Sequence, residues 1–144
     1  MDRLRERLIG HINRKDWWHV PPRDPQAYRK RGKFYASSFK EAEFWGRPLN
    51  EPLRVTVANP LAGHERRIER HLFGKVLSRR VLARAKPGRE WMEARWALDA
   101  RMKSVALTMG YDAIVLMHPG AFEAYERTDR MPRSIELNIL EVPV

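Results

Sequence analysis

Hydrophobic positions recur along this chain with two periods. Between residues 2 and 15, Leu4, Leu8 and Ile12 share one stripe, while Arg3, Arg5, Arg7 and Arg14 lie off it. That spacing predicts an amphipathic helix. Residues 64–85 repeat the pattern, with Ile68, Leu72, Val76, Leu77 and Val81 flanked by Arg66, Arg70, Arg79, Arg80 and Arg84, and with Pro87-Gly88 as the stop. Residues 89–109 give the longest helical segment: Trp91, Leu98, Met102, Val105 and Met109 fall near one face, and Gly110 ends it. The second period is two. Leu53, Val55 and Val57 alternate with Arg54 and Thr56 over 53–58, the signature of a half-buried strand. Strands are also expected from Asp16 toward Pro21-Pro22, where proline forbids helix, and at 33–36, 112–117 and 134–140. A short helix is expected over 38–45, and a loop with one helical turn over 118–133.

Strands that bracket a block of helices imply an α+β domain with a mostly antiparallel sheet. The 144 residues are enough for one domain with a real core, with residues 1–15 as an N-terminal helix and 64–109 as a helical insertion. The absence of cysteine excludes a disulfide framework and a thiol nucleophile. The other histidines, His11, His64, His71 and His118, lack metal-ligand spacing, so no metal is expected. No run is apolar enough for a membrane span. The N-terminus lacks a signal-peptide apolar core and carries Asp2 and Glu6, so the expected setting is cytoplasmic.

Charge changes the picture more than composition does. Of the net +10, residues 1–33 contribute +6 and residues 64–89 contribute +7, while residues 104–144 carry −3. A field this concentrated attracts anionic partners; a solubilising surface is the plain alternative. At helical spacing Arg66, Arg70, Arg80 and Arg84 share much of one side. They are the expected docking surface for an acidic protein or a nucleic-acid-containing target.

The stretch Gly32-Lys33-Phe34-Tyr35-Ala36-Ser37-Ser38 leads through Phe39 and Ala42 to Phe44-Trp45-Gly46. It reads as a glycine turn, an apolar strand, a serine cap and a short helix stopped by glycine. Aromatic groups from the strand and the helix come close enough to grip a flat ring. This unit resembles the nicotinamide pocket of the ADP-ribosyltransferase superfamily. Four further segments resemble that family in the same order: Trp17-Trp18-His19-Val20-Pro21, Leu53 to Leu61 with its Asn-Pro-Leu turn, Met109 to Leu116 with Gly-Tyr-Asp, and Ile135-Glu136-Leu137-Asn138-Ile139-Leu140. The small members carried by phages and other mobile elements are the nearest in kind.

The resemblance implies a split sheet and NAD as substrate. His19 would hold the ribose, Phe34 and Trp45 would stack on nicotinamide, and Glu136 would be the catalytic carboxylate. Breaking the ribose–nicotinamide bond creates oxocarbenium character, which a nearby carboxylate stabilises. Two positions depart from the family pattern: Val20 stands where a glycine is usual, and Phe34 where tyrosine is usual. Ser134, two residues before Glu136, gives no support for arginine as acceptor. Read without the resemblance, Glu136 is a solvent-facing strand residue, His19 a structural histidine, and Phe34 and Trp45 core packing. Two functions therefore stand: a mono-ADP-ribosyltransferase acting on a host macromolecule, or the same fold as a basic binder or inhibitor.

Overall fold

The computed structural model describes residues 2–141. In chain order the elements are α1 (Arg3–Arg14), α2 (Ala27–Arg31), β1 (Lys33–Ala36), α3 (Phe39–Glu43), β2 (Pro60–Gly63), α4 (Glu65–Phe73), α5 (Ser78–Arg84), α6 (Arg89–Thr108), β3 (Ala113–Leu116), α7 (Pro119–Thr128) and β4 (Glu136–Ile139). The strands form one sheet in the order β1-β4-β3-β2. β4 runs antiparallel to both β1 and β3, and β2 runs parallel to β3. The fold is α+β, as the alternation of periods predicts, with an antiparallel majority and one parallel pair.

Helices cover both faces of the sheet, and side-chain alternation along the strands divides the core in two. One cluster joins Tyr35, Ala113, Val115 and Leu137 to Leu8 and Ile12 of α1 and to Phe122 and Tyr125 of α7. The other joins Leu61, Ile114 and Leu140 to Ile68 and Leu72 of α4 and to Leu98, Met102 and Ala106 of α6. Gly32, at φ 90°, admits the turn into β1, because a Cβ there would collide with Asn138 Oδ1 and the Ile139 carbonyl. Among the described residues no helix is long and apolar enough to cross a membrane.

Several elements differ from the sequence pattern, each for a physical reason. The helix expected over 64–85 is two helices. Gly74 adopts a left-handed φ of 74° and ends α4, its N–H donating to the Arg70 carbonyl at 2.8 Å. The strand expected over 53–58 is reduced to an isolated bridge between Leu53 and Trp17. Beyond it, the backbone bonds side chains instead of a neighbouring strand: Val57 N–H donates to Asn13 Oδ1 at 2.8 Å, and Ala58 and Asn59 N–H donate to Asp112 at 2.6 and 3.0 Å. The strand is instead Pro60-Leu61-Ala62-Gly63, too short and too evenly apolar to show alternation, as suits a parallel strand covered on both faces. The strand expected from Asp16 is likewise two bridges, Trp17 to Leu53 and Trp18 to Ala36. Finally, Pro119-Gly120 opens a full helix where a loop is expected. Proline is tolerated at the first helical position, and His118 caps it.

Candidate functional site

The parallel pair creates a crevice. β2 feeds α4, which packs on the α6 side of the sheet, and β3 feeds α7, which packs on the α1 side. Adjacent parallel strands whose helices leave to opposite faces form a topological switch point, where ligands bind beyond the carboxyl ends of the strands. At that place lies an open cleft of about 1000 Å³. Its walls include His64 and Arg66 at the start of α4, His118 and Gly120 at the start of α7, Arg130 and Arg133 on the loop before β4, and Glu136. The volume is at the upper end of small-molecule sites.

Glu136 is the first residue of β4, set opposite Ala36 of β1 and Leu116 of β3. It shares its face of the sheet with Phe34, Ile114 and Asn138, and these residues line a second, smaller cavity of about 30 Å³ with Glu65 of α4 and with Arg95, Asp99 and Met102 of α6. Arg95 Nη1 bonds Glu65, and its Nη2 reaches Asp99 at 3.2 Å. The guanidinium is thus taken by two carboxylates, and Glu136 has no hydrogen-bond or ion-pair partner among the described residues. Burial pushes the Glu136 carboxyl up to about 7, helped by the negative charges of Asp99 and Glu65 and opposed by Arg95. Burial also raises Asp99, to about 6, against the pull of Arg95 and Arg31. With three carboxylates around one central arginine, a proton held by the cluster is cheaper than a third buried negative charge. Asn138 sits in the same wall; its amide N–H donates to the Arg31 carbonyl at 2.9 Å, and its Oδ1 is buried without a partner.

The residues singled out in the sequence divide into two groups. Phe34 and Glu136 come together in the small cavity. His19 and Trp45 line neither cavity. His19 is buried, and both its ring nitrogens are engaged: Nδ1 donates to the Phe34 carbonyl at 2.7 Å, and Nε2 accepts from the Tyr28 hydroxyl at 2.8 Å. Burial lowers its pKa, the Phe34 bond opposes, and nearby Lys33 lowers it further, so the neutral ring is favoured. Its ring packs at a tilt on Tyr28 and Tyr35, within the wall. Trp45 is 63% exposed, its ring edge-on to Phe44 at 5.1 Å, just beyond α3. Of the two rings expected to grip nicotinamide, Phe34 lines the small cavity and Trp45 stands in solvent beside Phe44. Of the four arginines, Arg66 belongs to the large cleft, whereas Arg70, Arg80 and Arg84 are exposed on α4 and α5, two separate helices.

The sequence pattern did not single out Glu65, Arg95, Asp99, Asn138, Arg130 or Arg133. Only the pair Arg95 and Asp99 left a trace: two charges four apart in a helix, beside Leu98 and Met102 that face the core. The rest are ordinary surface types brought together by the sheet. No family model, curated protein or solved structure matches the chain significantly.

Proposed function

We propose that the protein is an NAD-cleaving mono-ADP-ribosyltransferase with Glu136 as its carboxylate. The observation that carries this reading is Glu136 itself: an unpartnered, proton-retaining carboxyl at the head of β4, between the small cavity with Phe34 and the large basic cleft. A second observation supports it. The His19 segment, β1 and β4 are neighbours, through the Trp18–Ala36 bridge and the Ala36–Glu136 pairing, so the segments carrying His19, Phe34 and Glu136 lie side by side. In this reading the bond between the ribose carbon and nicotinamide breaks with its electron pair leaving on nicotinamide. An acceptor on the target bonds that carbon and releases its proton to solvent. Ionised Glu136 accepts a ribose hydroxyl and stabilises the developing positive charge. The cationic nicotinamide itself favours the ionised carboxylate, because opposite charge lowers a carboxyl pKa. A cytoplasmic setting and an acidic or nucleic-acid-containing target complete the proposal.

The second reading, a basic binder on the same fold, draws on His19 and Trp45. A ring with both nitrogens bonded inside the protein, and an indole that lines neither cavity, favour this reading. Incubation with NAD decides between the two. The enzyme reading expects nicotinamide release that Glu136→Gln abolishes, with NAD raising the melting temperature of the native chain by ligand linkage. No release and no shift leave the binder.

A further inference from the structure

We propose that the cleft at the carboxyl ends of β2 and β3 is a diphosphate subsite, in which His64 and His118 donate from Nε2 and Arg66, Arg130 and Arg133 supply the positive charge. The tautomers follow from the helix caps. His64 Nδ1 accepts the Arg67 N–H at 3.3 Å, and His118 Nδ1 accepts the Gly120 N–H at 3.2 Å. A neutral imidazole that accepts at Nδ1 carries its proton at Nε2. Both histidines line the cleft, and neither Nε2 has a protein partner among the described residues. Two helices of nine and ten residues also begin there, adding the positive ends of their dipoles.

Charge on the walls agrees with the geometry. Arg66, Arg130 and Arg133 are exposed and belong to no ion pair among the described residues, whereas Arg67 beside them is paired with Glu126 at 3.8 Å. Three uncompensated guanidiniums around a concave wall offer bidentate contacts to phosphoryl oxygens. The opposing features are Glu65, already paired with Arg95, and Glu136 in the same lining. The Glu136 carboxyl lies at the junction with the small cavity, where a ribose hydroxyl is a better neighbour for it than a phosphate. A ligand with phosphates at the cleft and a ribose toward Glu136 satisfies both, so the ligand class is a nucleoside diphosphate. That choice of ligand rests on the NAD reading; the anion subsite does not.

Titration calorimetry on the full chain tests this with ADP-ribose, inorganic pyrophosphate and adenosine. The variants are His64→Asn with His118→Asn, and Arg130→Gln with Arg133→Gln. Asparagine keeps a capping side chain and removes the Nε2 donor. Exposed Arg89, outside the cleft lining, supplies the charge control as Arg89→Gln. The native chain is expected to bind ADP-ribose and pyrophosphate. Each double variant should weaken both at least tenfold, and Arg89→Gln should change neither more than twofold. Pyrophosphate that fails to bind the native chain at millimolar concentration overturns the subsite. So does unchanged binding by the variants, or equal weakening by Arg89→Gln. If the histidine pair does not fold, as circular dichroism would show, the exposed arginine pair carries the test alone. Histidine-dependent ADP-ribose binding without any NAD cleavage sinks the enzyme reading and keeps the subsite. NAD cleavage with an unchanged KM in both double variants does the reverse.

Discussion

Glu69 and Glu136 are both largely withdrawn from solvent, and they are withdrawn differently. Glu69 of α4 is 0% exposed, yet it accepts three bonds, from Leu77 N–H at 3.2 Å, Ser78 N–H at 2.7 Å and Ser78 Oγ at 2.7 Å. It replaces the missing cap of α5 and fastens that helix to α4 across the Gly74 turn. Glu136 is less covered, but no described residue donates to it, and the cation that lowers its pKa, Arg95, is shared by Glu65 and Asp99. Burial alone therefore does not mark a functional carboxylate. A satisfied one holds the chain together, and one left without a protein donor in a cleft, with a perturbed pKa, is the candidate for chemistry.

The sharpest way to break this contrast is to neutralise each group in turn. Glu136→Gln should lower NAD cleavage by about 10²–10⁴-fold, the range for a positioned proton-transferring or charge-stabilising group, while the chain still folds. Retained nicotinamide release in that variant would remove Glu136 from the mechanism. Glu69→Ala should do the opposite. It strands two backbone donors and a hydroxyl and should destabilise the protein by about 3 kcal/mol, read by chemical denaturation. A loss below about 0.5 kcal/mol would show that solvent replaces Glu69 as the α5 cap.

The pH dependence sharpens the comparison further. Glu136 at about 7 and Asp99 at about 6 lie above their ordinary carboxyl values. The folded state therefore keeps protons that the unfolded chain releases, and stability falls as pH rises from about 4 to 7. Under the proposed reaction NAD cleavage needs ionised Glu136, so it should rise through the same upper region. Glu136→Gln should thus gain about 3 kcal/mol over the native chain at pH 8 and nothing at pH 4. Parallel stability profiles for the two proteins would contradict the raised pKa.

Smaller effects are expected at the surface. Reversing Arg70, Arg80 and Arg84 to Glu should leave folding intact, since α5 buries no residue. It should slow association with an acidic or nucleic-acid partner, more at low salt than at high. Equal rates at low salt would make these arginines a solubilising face. Trp45→Ala should cost less than about 1 kcal/mol, because its ring already stands in solvent. A larger loss would place the indole in the packed interior.

Local periodicity and punctuation were enough for much of the scaffold. The stripe Leu4, Leu8, Ile12 gives α1, Leu98 and Met102 mark the buried face of α6 although Met109 is exposed beyond its end, and Lys33–Ala36 and the segment around Val115 are strands where expected. These depend on interactions a few residues apart, so the chain alone carries them. Glu136 and Phe34 are singled out by the family resemblance, since periodicity alone reads them as a solvent-facing strand residue and core packing. The cleft was not legible. Leu61 looks like part of a turn until β3 supplies its partner, and His64 and His118 look like surface histidines until two helices start beside them. Arg95 becomes the centre of a carboxylate cluster only because α6 crosses the face of β4. Likewise His19 lost its free nitrogens to Tyr28 and the Phe34 carbonyl, partners 9 and 15 residues away. Which donors remain unpaired, and which charges share a cavity, is settled by long-range packing, because hydrogen bonds and desolvation act over a few ångströms in space and not along the chain.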